Sequence, residues 1–212
     1  MQLSLELFFT ILNHLLVFIT IFFWIFARFL NGYLYNNLLD ASGYADSVSS
    51  VGPLRNSFST GTTIENLTDV QLLLTNFGNT ATGSFTVSLY SDNATNPGSL
   101  LANLATYNDS VLTSGSAVVD TTVSGVILDP NTRYWIELST TSNSVAGWLW
   151  TATAGNTDTI SEYNFNNGGV SSNSSNNPYQ MAVTAAPVPV PPAFALMSLG
   201  IAGLAALRRK SA

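Results

Sequence analysis

Short runs in which apolar and polar residues alternate dominate the middle of the chain. In the run Ser84–Tyr90, the side chains of Phe85, Val87 and Leu89 fall on one face of an extended strand, and polar side chains fall on the other. Gly, Pro, Asn and Asp, the residues of turns, separate the runs. The clearest strands are Leu67–Thr75, Ser84–Tyr90, Leu100–Thr106, Ala117–Val123, Arg133–Thr140, Ala146–Thr153 and Tyr179–Thr184. The pattern predicts an all-β domain over residues 46–185, an antiparallel β-sandwich of the jelly-roll-like kind.

A long apolar segment precedes this domain. Leu7–Leu30 contains 19 apolar residues out of 24, and about 20 apolar residues in a helix are enough to cross the hydrocarbon core of a membrane. Residues 1–45 are therefore assigned to a hydrophobic signal peptide or signal anchor. Three interpretations are open: an uncleaved anchor, a signal peptide cut after Ala45 in the small-residue motif Gly43-Tyr44-Ala45, and a start codon assigned too far upstream. A buried core helix is disfavoured because core helices normally keep a polar stripe.

The C-terminal segment, residues 186–212, combines three features in a fixed order. Four prolines between Pro187 and Pro192 forbid a helix and favour an extended spacer. Ala193–Leu207 follows with 15 uncharged apolar or small residues, and a basic cluster comes directly after it. Such a cluster stays on the cytoplasmic side, so the preceding domain lies across the membrane. Fifteen residues are short for a permanent span, which predicts a short transmembrane helix that anchors the chain marginally or temporarily.

This order resembles the PEP-CTERM sorting signal of Gram-negative bacteria. The sorting-motif residues are Val188, Pro189, Val190, Pro191 and Pro192, with Arg208, Arg209 and Lys210 in the basic tail. Val190 stands where the family core Val-Pro-Glu-Pro has Glu, a departure that matches a variant class with the pattern VP-x-PPA. The resemblance implies processing by an exosortase-type membrane protease-transpeptidase and delivery to the cell surface or the exopolysaccharide matrix.

The middle of the chain is similar to the choice-of-anchor R domains, which occur with different C-terminal surface anchors. The matching stretches are Gly52–Gly61, Ser88–Leu104, Leu128–Leu138 and Pro178–Met181. This resemblance implies a surface location, and it brings no established activity or catalytic residues with it.

Charge narrows the choice of partners. Only 8% of the residues are charged, and between Asn31 and Pro192 eleven acidic residues occur with two arginines, a net charge of −9. Nucleic acids and anionic membrane surfaces are bound through Lys and Arg, so we expect no nucleic-acid partner. Contact with the membrane is predicted through the terminal apolar segments instead. The chain has no Cys, which excludes disulfides and thiolate chemistry.

The predicted domain also has no His. Ser-His-Asp and Cys-His arrangements and histidine-containing metal sites are therefore excluded. Paired carboxylates are the remaining catalytic chemistry, but the spacing of the acidic residues singles out no pair, and solvated positions are favoured. We therefore expect no enzyme, no catalytic residue and no cofactor. The acidic candidates are Asp109, Asp120, Asp129, Glu137, Asp158 and Glu162.

Calcium is a weaker hypothesis. The loop at Asp92 carries oxygen ligands, but Ala94 breaks the D-x-[DN]-x-[DN]-G pattern of calcium loops. An Asx-type turn explains Asp92, Asn93 and Asn96 better, so no metal site is predicted.

Tryptophans give the sharpest binding hypothesis. Trp135 shares a strand face with Arg133 and Glu137, so we predict that it is exposed and stacks on sugar rings as a candidate glycan contact. Trp148 and Trp150 are two residues apart and lie on one face of their strand, where the favoured interpretation is that they fill the core.

These observations together predict an exported protein, anchored in the inner membrane in transit and then placed at the cell surface or in the extracellular matrix. A structural or adhesive role with weak polysaccharide binding is the main hypothesis. The alternatives are a glycan hydrolase that uses two carboxylates and a passenger domain without a ligand.

Overall fold

The alternating runs form two antiparallel β-sheets in the structure, a computed structural model. It describes residues 32–48, 52–78, 83–94, 96–112, 115–141, 143–152, 164–165 and 177–188. These residues contain no α-helix, and a 3-10 turn, Asp109–Val111, follows the sixth strand. The strands are β1 (Gly32–Asn36), β2 (Ser42–Ser47), β3 (Leu54–Ser59), β4 (Glu65–Asn76), β5 (Ser84–Asn93), β6 (Asn96–Asn108), β7 (Ser116–Leu128), β8 (Arg133–Ser139), β9 (Ala146–Thr151), β10 (Asn164–Phe165) and β11 (Met181–Pro187).

The strands are divided between a six-stranded sheet A and a five-stranded sheet B. Sheet A has the order β1-β11-β4-β9-β2, with β7 also paired to β4, and sheet B has the order β10-β3-β8-β5-β6. Strand β8 lies between β3 and β5, and its Trp135 is opposite Ser57 on one neighbour and Tyr90 on the other. The polar residues of sheet B therefore meet across three adjacent strands.

Side chains from both sheets form one buried cluster. Phe85, Val87 and Leu89 of sheet B and Leu72 and Leu74 of sheet A are completely buried in it. Burying each such side chain contributes about 1.5–3 kcal/mol relative to leaving it exposed. Each of the seven strands predicted from alternation coincides with an observed strand, so the prediction of an all-β, antiparallel domain is confirmed.

Two strands begin before Asp46, the residue at which the domain is predicted to start. Strand β1 pairs with β11, and β2 pairs with β9. Tyr35 on β1 is only 1% exposed and belongs to the core cluster. The motif Gly43-Tyr44-Ala45 lies inside β2. Neither run alternates clearly, so the hydrophobic pattern alone does not separate them from the apolar segment before them.

At the C-terminal end of the domain, β11 is followed directly by the proline spacer. Its last residue, Pro187, is paired with Glu65 on β4, so the spacer begins in an extended conformation, as its prolines predict. The predicted membrane segments Leu7–Leu30 and Ala193–Leu207, and the sorting motif beyond Val188, lie outside the described residues. Within the part of the chain that the structure describes, no helix has the length and apolarity needed to cross a membrane.

Candidate functional site

The structure places Trp135 differently from the sequence prediction. Its side chain is 0% exposed, and its indole Nε1 donates a hydrogen bond to Asp92 Oδ1 at 2.7 Å. The prediction that Trp135 lies on the surface is wrong, and an indole without a free face has nothing to offer a sugar ring. Alternation correctly placed Trp135 beside charged residues, but it does not tell whether that face is covered.

Glu137, one of the charges on this face, is buried and paired. Glu137 Oε2 accepts a hydrogen bond from Arg55 Nε at 2.6 Å, and Glu137 Oε1 accepts one from the Tyr90 hydroxyl at 3.1 Å. The Glu137 side chain is only 5% exposed. Burial, followed by the charge and hydrogen bond of Glu137, raises the pKa of Tyr90. Both carboxylate oxygens of Glu137 are engaged, so we assign it a structural role in sheet B.

A second acidic candidate, Asp109, is also held inside the fold. Its Oδ1 accepts a hydrogen bond from Ser144 Oγ at 2.6 Å, and its Oδ2 accepts bonds from the backbone N–H groups of Val145 and Gly83 at 2.9 and 3.2 Å. The carboxylate joins the start of β5, the end of β6 and the approach to β9. Asp129 is exposed in the turn after β7, whereas Asp158 and Glu162 lie outside the described residues.

One pair of carboxylates does come together, on adjacent strands of sheet A. Asp69 on β4 lies within hydrogen-bonding reach of Asp120 on β7, and Gln71 Nε2 donates to Asp120 Oδ2 at 3.2 Å. Burial, then the hydrogen bond and the negative charge of Asp120, raise the pKa of Asp69 from 3.8 to about 7. Asp69 therefore keeps its proton up to near neutral pH.

Sequence spacing missed this pair because Asp69 and Asp120 are far apart along the chain. The register sets Gln71 opposite Asp120 and Asp69 opposite Thr122, so the two aspartates are diagonal neighbours on one face. Carboxyls in direct contact are closer together than the roughly 5 to 9 Å separations of glycosidase pairs, which leave room for a sugar or a water. The geometry of Asp69 and Asp120 differs from both glycosidase arrangements.

An exposed tyrosine beside a partly buried tryptophan is the feature best suited to binding. Tyr44 on β2 is 80% exposed, and its ring centroid lies 5.7 Å from that of Trp150 on β9 at an interplanar angle of 60°. Gly43 makes this possible, because a Cβ at that position would collide with the Trp150 ring. We call Tyr44 and Trp150 the aromatic platform.

Next to the platform, a second pair of aromatic rings lies in the core. Trp148, on the same face of β9 as Trp150, is fully buried and stacks on Tyr179 with ring centroids 4.8 Å apart. The prediction that Trp148 fills the core is confirmed, whereas Trp150 is partly buried and packs against the edge of the core. Asp46 Oδ2 accepts a hydrogen bond from the Tyr179 hydroxyl at 2.7 Å. Burial, then Asp46, raise the pKa of Tyr179, which therefore keeps its proton.

The loop at Asp92 is the place where the sequence raises the weaker hypothesis of a calcium site. The Asp92 side chain accepts the bond from Trp135 and thereby ties the end of β5 to β8. Among the described residues, no group of three or more acidic or histidine side chains is placed to hold a metal ion.

The chain matches no protein-family model, and a search of curated proteins finds no match either. The two family resemblances therefore stay predictions, and the function is argued from the residues themselves.

Proposed function

We propose that this chain is an exported cell-surface or extracellular-matrix protein of a Gram-negative bacterium, with a jelly-roll-like body. An exosortase-type enzyme sorts it through the motif Val188–Pro192 and the basic tail, after transit through the inner membrane. Its role is structural or adhesive, with weak polysaccharide binding. The order of spacer, apolar segment and basic tail supports the sorting proposal.

The exposure of Tyr44 beside Trp150 is the observation that carries the binding proposal. Tyr44 lies beside a second aromatic ring, so the two form an apolar patch and not a single exposed side chain. The two adjacent rings, tilted by 60° to each other, form an apolar surface, and the Tyr44 hydroxyl adds a polar group at its edge. Sugar rings have apolar faces and hydroxyl edges, and they match this combination.

The matched variants Tyr44→Ala and Tyr33→Ala test the binding proposal. Tyr33 is an equally suitable substitution site, since it is 63% exposed on another strand of sheet A. In a pull-down with extracellular polysaccharide from the producing cells, we expect Tyr44→Ala to weaken binding about fivefold. Tyr33→Ala is expected to bind like the original protein. Equal loss in both variants, or loss in neither, would contradict a site at Tyr44.

Mass spectrometry of fractionated envelopes tests the sorting proposal. We expect the surface or matrix fraction to contain a mature chain that lacks the residues after the proline spacer. Recovery of only the intact C-terminus, held in the inner membrane, would refute exosortase-type sorting.

The hydrolase alternative has one observation in its favour, the raised pKa of Asp69 beside Asp120. It requires a measurable rate on matrix glycans that Asp69→Asn abolishes while the fold is retained. The passenger alternative predicts normal surface delivery with no retention on any glycan.

A further inference from the structure

Charge is divided unequally between the two sheets. Sheet A carries acidic residues and no Lys or Arg along its described strands, and these acids are Asp46, Glu65, Asp69 and Asp120. Both arginines of the described residues lie in sheet B, on β3 and β8, and Arg55 is paired with Glu137. The aromatic platform lies on β2 and β9 of sheet A, and the one charged residue of these two strands is the acidic Asp46.

One of these acids belongs to the platform itself. Asp46 is two residues after Tyr44 on β2 and is paired with Trp148, so it lies on the same side of the strand as the platform. Its Oδ2 takes the hydrogen bond from Tyr179, and the side chain is only partly buried. A carboxylate here accepts hydrogen bonds from sugar hydroxyls or from an ammonium group, and it repels another carboxylate or a sulfate.

We infer that the aromatic platform takes polysaccharides built from neutral or amino sugars and rejects polymers of uronic acids or sulfated sugars. This inference rests on the proposed polysaccharide binding. The platform stacks on the sugar rings, and Asp46 supplies a negatively charged hydrogen-bond acceptor. The described strands of sheet A contain no Lys or Arg that could neutralise the charge of an anionic polymer.

Three immobilised polymers test the inference with the exported protein: a neutral β-glucan, chitosan as an amino-sugar polymer, and alginate as a uronic-acid polymer. At about 0.15 M salt, long-range attraction between exposed charges is screened. We expect retention on the glucan or on chitosan that Tyr44→Ala removes, and retention on alginate at least about fivefold weaker. Asp46→Asn is expected to weaken binding to chitosan more than binding to the glucan, whereas Asp69→Asn, farther along sheet A, changes neither.

The outcomes separate the two proposals. Retention on alginate equal to that on the other polymers would overturn the inferred sugar class and leave polysaccharide binding standing. Failure to bind any of the three would overturn both. Chitosan binding that survives Tyr44→Ala would assign the binding to net charge and overturn the platform as its site.

The loop between the two N-terminal strands is hydrogen-bonded to a buried glutamine. Gln180 is completely buried, and its Nε2 donates hydrogen bonds to the backbone carbonyls of Asp40, Asn37 and Leu38 at 2.9, 3.3 and 3.4 Å. Its Oε1 accepts a bond from Ser42 Oγ at 2.7 Å. One amide thus fixes the loop between β1 and β2 against the last strand.

The same loop holds that strand in return. Asn37 Oδ1 accepts a hydrogen bond from the Met181 N–H at 2.7 Å, and Asn37 Nδ2 donates to the Tyr179 carbonyl at 3.0 Å. Loss of the chain up to Ala45 would remove β1, most of β2 and the core residue Tyr35. It would leave the buried Gln180 amide without these acceptors, at a cost of several hydrogen bonds.

The geometry points to a mature protein in which the bond between Ala45 and Asp46 is intact and any removal of the apolar leader takes place before Gly32. Trypsin cuts after Arg28 and Arg55, so the peptide that ends at Arg55 starts at Phe29 when the leader is still attached, and at the new N-terminus when the chain has been cut after Arg28. In exported protein, we expect a peptide that starts between Phe29 and Gly32 and ends at Arg55. A dominant peptide Asp46–Arg55 would overturn the inference.

Discussion

Asp109 illustrates how single polar residues are kept inside this fold. Its carboxylate is buried, yet three hydrogen bonds from Ser144, Val145 and Gly83 engage both of its oxygens. Bonds to a charged acceptor are stronger than neutral ones. A buried acid with this many partners is part of the structure, whereas Asp129 is exposed to solvent.

We expect Asp109→Ala to lower the free energy of unfolding by about 3 kcal/mol, because the substitution leaves buried donors without an acceptor. Asp129→Ala serves as the control, and a surface substitution of this kind changes stability by about 0.5 kcal/mol or less. Urea denaturation followed by circular dichroism measures both. Similar losses in the two variants would contradict the role assigned to Asp109.

The pair Asp69 and Asp120 makes stability depend on pH. The pKa of Asp69 is raised from 3.8 to about 7 in the folded protein. Between these two pH values, Asp69 is protonated in the folded protein and ionised in the unfolded chain. The stabilisation that Asp69 contributes is therefore complete at pH values below its pKa in the unfolded chain, and it is lost as the pH rises towards 7. After allowance for screening by water, the change is about 1 kcal/mol.

We expect Asp120→Asn to flatten this slope, because it removes the negative charge that opposes ionisation of Asp69. Asp69→Asn is expected to flatten it as well and to raise stability at pH 8 relative to the original protein. Thermal unfolding midpoints recorded between pH 4 and 8 provide the measurement. An unchanged slope in both variants would show that the pair does not control it.

Strands β1 and β2 show how an element depends on partners far away in sequence. Neither run alternates like β5 or β8, and each is held by one neighbouring strand, β11 or β9. Gln180, which follows Tyr179 near the other end of the domain, supplies the hydrogen bonds for the loop between them. The stability of these strands is therefore decided by tertiary contacts and less by local propensity.

We expect Gln180→Ala to destabilise the domain by about 2–3 kcal/mol, since several buried hydrogen bonds are lost together. Faster amide exchange is expected in this variant at Asn37, Val48 and position 180, whose backbone N–H groups bond across this region. Gln71→Ala on the outer side of β4 is the matched control. If exchange at Asn37 stays slow in Gln180→Ala, the amide does not fix this loop.

For the molecule as a whole, the two sheets depend on one core. Val70 of sheet A and Phe85 of sheet B belong to the same buried cluster, so neither sheet has a separate interior. The described strands belong to one compact unit that ends at Pro187. Small domains built in this way normally unfold in a single cooperative transition.

We expect Phe85→Ala to cost about 3–5 kcal/mol and Val70→Ala somewhat less, in keeping with large-to-small core substitutions. In each variant, near-UV and far-UV circular dichroism transitions should coincide at a lower midpoint. Two separate transitions after either substitution would show that the sheets unfold independently.

Much of the fold follows from local patterning. Alternation identified seven strands and placed Phe85, Val87 and Leu89 together on one face, which the structure buries, because a strand with one buried face has to repeat with a period of two. The turn at Asp129–Thr132 follows from its Pro and Asn, and Asn131 indeed has a positive φ of 50°. Composition by itself excluded thiol and histidine chemistry in this domain, because the residues that perform it are absent from residues 46–185.

Tertiary structure decided which faces are covered and which distant residues meet. Trp135 was assigned to the correct strand face, but the fold covers this face: Trp135 is fully buried, and Glu137 is buried in an ion pair with Arg55. Asp69 and Asp120 meet through the register of β4 with β7, and Tyr44 meets Trp150 through the pairing of β2 with β9. The sequence determined the strands and the chemistry available, whereas strand pairing determined the sites, because contacts between distant residues depend on register and leave no local pattern.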